Sequence, residues 1–110
     1  GLNMKKIDSL MVNQKFEIVS FMSGESKTTI TKSKPAFSVE FHYNEKGRLE
    51  FITVSNLTKN DKRSFSHDEI KKASKKEAKA LEIMRLTFDG TLQKLSPEVI
   101  VASWLHAFAN

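Results

Sequence analysis

The feature that most constrains the fold is a run of strict alternation between residues 37 and 43. The apolar positions are Phe37, Val39, Phe41 and Tyr43, and the polar positions between them are Ser38, Glu40 and His42. A period of two is typical of a strand with one buried face. Residues 44–47 read as a turn, and residues 48–55 return as a second strand. Because the connection is so short, we predict an antiparallel hairpin.

The segments before this hairpin predict one helix and one strand. Met4, Ile7, Leu10 and Met11 recur at helical spacing, which predicts a short amphipathic helix over residues 4–13. Residues 15–22 are rich in Phe, Ile and Val, which favours a third strand. Residues 24–34 are polar, which indicates a loop or ragged strand ends.

The C-terminal half predicts two further helices. An apolar stripe from Ala78 to Leu95 at helical spacing indicates a long helix that starts at Ser66 or Ser74. A hairpin turn at Asp89-Gly90 is the alternative. Ser96 and Pro97 are typical of the start of a helix, which we expect over residues 97–109.

Composition bounds the class of protein. A length of 110 residues suits one domain, and the absence of cysteine excludes a disulfide scaffold and thiolate chemistry. The three histidines show no ligand spacing, so we expect no metal and no cofactor. No apolar run approaches the roughly 20 residues of a membrane helix, and no signal peptide opens the chain. We therefore expect no membrane partner and an intracellular location, in cytoplasm or nucleus. No internal repeat is apparent.

Basic residues are unevenly distributed. Lys27, Lys32 and Lys34 lie in an acid-free stretch over residues 26–34, and residues 59–79 hold eight basic residues against four acids. If the two stretches meet in space, they form a face that binds polyanions. If they do not meet, they are ordinary solvated surface.

One hexapeptide carries a resemblance to a known family. Residues 74–79 read Ser-Lys-Lys-Glu-Ala-Lys, and Gly24 and the Pro35-Ala36-Phe37 sequence give weaker support. With the predicted order of elements, the chain resembles the double-stranded RNA-binding domain family over residues 4–94. The resemblance implies an α+β fold, α-β-β-β-α, in which a three-stranded antiparallel sheet packs against two helices. The extra C-terminal helix gives a domain over residues 4–95 and an extension over residues 96–110.

The resemblance also implies a set of RNA ligands. The lysines at the start of the second helix grip phosphates in the family, and the loop between the first two strands touches a minor groove. Lys72 lies at helical spacing from the first of these lysines, on the same side of the helix. The candidate RNA-binding residues are Lys27, Lys32, Lys34, Lys72, Lys75, Lys76 and Lys79.

Two functions follow as expectations. The first is a module that binds double-stranded RNA by its A-form shape and phosphates, without strong sequence preference. The alternative is a protein-interaction or dimerisation module on the same fold that has lost RNA binding. It is motivated by the loop after Gly24, which lacks the family's usual Pro and His, and by the long 56–73 insertion.

The C-terminal stripe and the absence of a nucleophile motif complete the expectations. Val101, Trp104, Leu105 and Phe108 share one helical stripe, which either packs on its own domain or contacts a second copy or another protein.

No nucleophile motif is present, so we predict that the chain is not itself an enzyme. An accessory domain of a larger RNA-processing enzyme fits these expectations.

Overall fold

The structure is a computed structural model that describes residues 7–66, Asp68 and Arg85. Residues 7–66 form six strands: β1 (Ser9–Val12), β2 (Ile18–Ser23), β3 (Ser26–Thr29), β4 (Phe37–Tyr43), β5 (Leu49–Asn56) and β6 (Asp61–Ser66). They make one antiparallel sheet with the spatial order β3-β2-β1-β4-β5-β6. Two meanders, β1-β2-β3 and β4-β5-β6, therefore lie side by side and meet where β1 pairs with β4.

One face of the sheet carries the core, and we call it the apolar face. Leu10, Val39 and Val54 stand in register across β1, β4 and β5. The buried cluster comprises Ile7, Leu10, Val12, Ile18, Ala36, Phe37, Val39, Phe41, Ile52 and Val54. Each large side chain that is fully buried contributes about 1.5–3 kcal/mol. The alternation in residues 37–43 is thus used as predicted, with its apolar residues in the core.

The other face is lined mainly by serine and threonine, and we call it the hydroxyl face. Its hydroxyl side chains on the four inner strands and β6 are Ser9, Ser20, Ser38, Thr53, Ser55, Ser64 and Ser66. Thr53 Oγ1 lies 3.0 Å from Ser64 Oγ and 3.3 Å from His42 Nε2. Thr53 is only 3% exposed, and these contacts give its hydroxyl the hydrogen-bond partners that a buried polar group requires.

The hairpins β1–β2 and β4–β5 contain the same turn. In the first, the Asn13 N–H donates to Glu17 O and the Phe16 N–H donates to Asn13 O, both at 3.0 Å. Residues 44–48 repeat the two bonds at 2.8 and 2.9 Å. The fourth residue of each turn is left-handed, with φ of 63° at Phe16 and 77° at Gly47. Both are three-residue hairpin loops that end in a left-handed residue.

A bulge follows each turn at the same place. Val12 pairs with Ile18, but Met11 pairs with Ser20, so Val19 is the extra residue on β2. The register shift after Tyr43 leaves Glu50 as the extra residue on β5 in the same way. The two hairpins therefore share turn, bulge and register.

A local two-fold axis relates the two meanders. Ser9 corresponds to Glu40, and the two are Cα partners in the β1–β4 ladder. A rotation of 180° about an axis that passes between these two residues, perpendicular to the sheet, relates residues 9–23 to residues 40–54. Equivalent side chains lie on the same face of the sheet. Only Asn13/Asn44 and Lys15/Lys46 are identical among the equivalent pairs. The repeat is structural, and the sequence gives almost no sign of it.

The predicted α+β fold, with a three-stranded sheet packed on two helices, is wrong for the described chain. Residues 7–66 form six strands and contain no helix. Asp68 and Arg85 have helical backbone conformation. The predicted helices over residues 66–94 and 97–109, and the domain boundary near residue 96, otherwise lie outside the described residues.

The N-terminal helix predicted over residues 4–13 is replaced by β1. A short apolar segment satisfies both periods, since Leu10 belongs to the helical pattern and also alternates with Val12, two residues further on. β1 pairs with β2 on one side and β4 on the other, so its backbone bonds are satisfied by neighbours on both edges. Pairing with two strands decides the conformation.

Two strands, β3 and β6, have no counterpart among the strands predicted from the sequence. Both are edge strands of the sheet and are rich in polar residues. All four residues of β3 are exposed. Edge strands that face solvent lack the apolar alternation of inner strands, so no hydrophobic period marks them.

Candidate nucleic-acid interface

Three turns meet at one end of the sheet. They are residues 13–17 between β1 and β2, the crossover 30–36 from β3 to β4, and residues 57–60 between β5 and β6. The Leu57 N–H donates to Ala36 O at 2.9 Å, which fixes the third turn against the crossover. Segments that are far apart in the sequence are thereby brought together.

This end collects exposed lysines, and we call it the lysine end. Its members are Lys15, Lys32, Lys34, Lys59 and Lys62, all of them exposed. Within the described chain, no carboxylate lies within salt-bridge distance of any of the five. Glu17 and Asp61 are the acids of these turns and of the β6 start. Five cations against two carboxylates give this end a positive potential.

Asparagine side chains hold the lysine-bearing turns. Asn13 Oδ1 accepts the N–H groups of Lys15 and Glu17, each at 3.0 Å. Asn56 Oδ1 accepts the N–H groups of Thr58 and Lys59, each at 3.1 Å. Such Asx contacts fix the backbone locally. The lysines therefore project from ordered turns rather than from loose loops.

The two acids of the lysine end are engaged in turn contacts. Glu17 Oε1 accepts a hydrogen bond from Asn13 Nδ2 at 3.3 Å. Asp61 Oδ1 accepts the N–H of the following residue, Lys62, at 2.9 Å. Their hydrogen bonds are made to neutral groups, so they leave the lysine ammonium groups available to an external anion.

The lysines form two groups separated by an uncharged strip. Lys15 follows β1, and Lys32 and Lys34 lie on the crossover from β3 to β4, whereas Lys59 lies in the β5–β6 turn and Lys62 in β6. β1 and β5 are two strand spacings apart, roughly 10 Å. Gln14 and Thr58 bridge this interval, with Gln14 Nε2 donating to Thr58 Oγ1 at 3.4 Å. Both side chains are exposed, and we call the pair the polar bridge.

The opposite end of the sheet carries the reverse charge. Asp8, Glu25, Glu45 and Glu50 lie there, against Lys46 and Arg48. Ile7 and Ser66, where the described sheet joins the rest of the chain, also lie at that end. The sheet is therefore polarised along its strands, and the lysine end lies away from both connections.

The single tyrosine marks the same opposite end. The Tyr43 hydroxyl donates to Ile7 O at 2.8 Å. Burial, and secondarily the charge of Asp8, raises the pKa of Tyr43 to about 12. Both causes disfavour the phenolate.

The structure sorts the predicted RNA ligands. Lys32 and Lys34 belong to the lysine end, but Lys27 lies on edge strand β3 level with the middle of the sheet, since its Cα partner Met22 also pairs with Ser9, the partner of Glu40. Lys72, Lys75, Lys76 and Lys79 lie outside the described residues. So do the predicted interface residues Val101, Trp104, Leu105 and Phe108.

Sequence reasoning did not select three members of the lysine end: Lys15, Lys59 and Lys62. Lys15 was placed in a strand, and the other two belonged to a basic stretch whose location was open. The condition stated for a polyanion face is a meeting of the 26–34 and 59–79 stretches. The Leu57–Ala36 hydrogen bond joins residues that flank the two stretches, and residues 69–79 of the second stretch lie outside the described residues.

A second polar cluster lies on the hydroxyl face around His42. Its Nε2 is 3.7 Å from Glu40 Oε2 and 3.3 Å from Thr53 Oγ1, and its ring stacks on Phe51 with centroids 4.0 Å apart. Both polar contacts fall on one ring nitrogen, whereas a nucleophile triad uses both nitrogens of the histidine. Glu40 lies opposite Thr53 and is not the cross-strand partner of Glu50.

The comparisons with known proteins give no match. No family model matches the chain, and neither the curated proteins nor the solved structures contain a match. In the part of the chain that the structure describes, no helix is long and apolar enough to cross a bilayer. The candidate interface is therefore argued from its own geometry.

Proposed function

We propose that the protein binds double-stranded RNA through phosphate contacts made by the lysine end, with little sequence preference. The observation that carries the proposal is the convergence of five exposed lysines, four from three separate turns and Lys62 from the start of β6, all outside salt-bridge distance of the described carboxylates. Lysine contacts to phosphates release counterions from the duplex, which supplies sequence-independent affinity. An intracellular location belongs to this proposal, because the ligand is a nucleic acid.

The arrangement of the lysines favours a duplex over a single strand. A duplex presents two rows of phosphates with a groove between them. The two lysine groups, separated by the uncharged polar bridge of Gln14 and Thr58, match two charged rows with a less charged strip between them. A single strand presents one flexible row and needs stacking aromatics to hold its bases, and the aromatic rings at the lysine end, Phe16 and Phe37, pack in the core.

A titration of the full chain with a 20-base-pair RNA duplex tests the proposal. If all five lysines contact phosphates, log affinity falls against log salt with a slope of roughly −4 to −5. The double variant Lys32→Ala/Lys59→Ala removes one lysine from each group. We expect it to bind roughly fiftyfold more weakly near 0.1 M salt, with a slope about two units shallower.

The matched control is Lys46→Ala/Arg48→Ala, which removes the same charge from the opposite end. It should leave the affinity within about twofold, because its charges are more than a Debye length from the contact. Equal losses of affinity in the two double variants would mean that binding depends only on the net charge of the protein. Equal losses, or no binding by the unmodified protein, would overturn the proposal.

A further inference from the structure

The polar bridge lies beside lysines of two turns, since Gln14 precedes Lys15 and Thr58 precedes Lys59. It lies between the two lysine groups and joins the β1–β2 turn to the β5–β6 turn. Its residues carry no charge, so their contribution is not to phosphate attraction. What they offer is hydrogen-bonding capacity directed outward from an ordered surface.

That capacity is only partly used within the protein. Gln14 Nε2 donates one hydrogen bond to Thr58 Oγ1. Among the described residues, Gln14 Oε1 accepts none, and the Thr58 hydroxyl proton has no acceptor. An amide oxygen is an acceptor and a hydroxyl is a donor. The exposed bridge therefore presents one acceptor and one donor side by side.

A ribose 2′-hydroxyl has the complementary pair of functions, since it both donates and accepts. We infer that Gln14 and Thr58 contact the 2′-hydroxyls in the minor groove of the bound duplex and give the site a preference for RNA over DNA. This inference rests on the proposed function, because the lysines must first bring a duplex onto the bridge. The lysines supply affinity for either duplex, and the bridge distinguishes between them.

The fold keeps the bridge ordered before any ligand arrives. Asn13, adjacent to Gln14, is 8% exposed and holds its turn through two backbone hydrogen bonds. The Thr58 N–H is held by Asn56 Oδ1 at 3.1 Å. Two hydrogen-bonding groups fixed in advance lose less entropy on binding than groups on free loops.

The test is the ratio of affinities for RNA and DNA duplexes of the same sequence. For the unmodified protein we expect about five- to tenfold tighter binding to RNA. The double variant Gln14→Ala/Thr58→Val should lose this preference by weakening RNA binding alone, with DNA binding unchanged. Thr28→Val, an exposed threonine on the outer edge strand β3 that is not part of the polar bridge, is the matched control and should keep the ratio.

A duplex of 2′-O-methyl RNA separates the hydroxyl from the shape of the helix. It keeps the A-form but cannot donate a hydrogen bond from the 2′ position. The unmodified protein should therefore bind it more weakly than it binds RNA, whereas the double variant should bind the two duplexes equally well. Equal binding of RNA and DNA by the unmodified protein overturns the inference and leaves phosphate-directed binding intact. A double variant that loses RNA and DNA binding together also overturns it. If no duplex binds at all, the proposed function itself fails.

Discussion

The turns at residues 13–17 and 44–48 are equivalent under the local two-fold axis but serve different purposes. Both begin with asparagine, carry lysine at the third position and place the fourth residue in the left-handed region. The fourth residue is Gly47 in one and Phe16 in the other. Glycine takes this conformation freely, whereas a residue with a Cβ loses about 1–2 kcal/mol there.

Phe16 remains left-handed because its ring is part of the core. Its centroid lies 5.6 Å from that of Phe37, and it packs against the buried cluster. At Gly47, an added Cβ would meet nothing within 4 Å. One turn is thus held by packing and the other by conformational freedom. The packed turn is the one at the lysine end, where the orientation of a side chain matters for binding.

The largest effect is expected from removal of the Phe16 ring. Phe16→Ala should lower the free energy of unfolding by about 2–3 kcal/mol, because packing is lost while the left-handed backbone remains. Phe16→Gly loses the same ring but relieves the backbone, so it should be about 1 kcal/mol less destabilised than the alanine variant. Urea denaturation measures both.

The control for this comparison is Gly47→Ala in the equivalent turn. It should destabilise by about 1 kcal/mol through the backbone alone. If Phe16→Gly were less stable than Phe16→Ala, the left-handed strain assigned to Phe16 would be absent and the two turns would not be comparable.

The next effect separates the two asparagines. Asn13→Ala removes a side chain that is only 8% exposed and leaves two N–H groups of the turn without their acceptor, so we expect a loss of about 2 kcal/mol. Asn44 accepts the N–H groups of Lys46 and Arg48, each at 2.9 Å, but it is more exposed and water can replace it. Asn44→Ala should therefore cost about 1 kcal/mol. Thermal unfolding measures both variants. Equal losses in the free energy of unfolding would show that burial does not distinguish the two turns.

The third effect concerns binding and uses the same pair of turns. Lys15→Ala removes one phosphate contact from the lysine end, which should weaken duplex RNA binding roughly eightfold near 0.1 M salt. Lys46→Ala removes the equivalent lysine at the opposite end and should change the affinity by less than twofold. Fluorescence anisotropy at two salt concentrations measures both. A larger effect at Lys46 would place the ligand at the wrong end of the sheet for our proposal.

The smallest expected effect is a change in the absorbance of Tyr43, which precedes the turn at residues 44–48. Tyr43 is the only tyrosine in the chain, so absorbance at high pH reports its ionisation alone. We expect titration with a pKa of about 12 in the folded protein and about 10 in denaturant. Because the folded pKa is the higher one, the stabilisation from neutral Tyr43 is complete below pH 10 and is lost as pH rises toward 12.

The control for the tyrosine titration is Tyr43→Phe, which should abolish the absorbance change. It should also remove this part of the alkaline loss of stability. A folded protein whose tyrosine ionises near pH 10 would contradict the burial and the Asp8 interaction assigned to the phenol.

The contrast between the turns also explains what the sequence was able to predict. The β4–β5 hairpin is confirmed because its alternation is strong and Gly47 marks the turn. The β1–β2 hairpin was missed because Phe16 is not a turn residue by type, and its left-handed conformation depends on a ring contact with Phe37. Its first strand, around Leu10, was assigned to a helix for want of a local signal.

The candidate site was predicted only in part for a related reason. Lys32 and Lys34 stood out in an acid-free stretch, but nothing local indicates that they share a surface with Lys15 or Lys59. That proximity depends on the order of strands and on the Leu57–Ala36 hydrogen bond. Contacts between segments distant in the sequence are set by the whole sheet, and no short pattern encodes them.

The local two-fold axis has a consequence for how the molecule would associate after partial unfolding. The seam between β1 and β4 joins two meanders that each have their own hairpin contacts, so opening it exposes a long unpaired edge on β4. A second copy offers the same strand, and the geometry of the seam is already that of an antiparallel pair about a two-fold axis. Partial opening at high concentration therefore favours symmetric dimers over disordered aggregation, since β4 of one molecule replaces β1 as the neighbour of another β4.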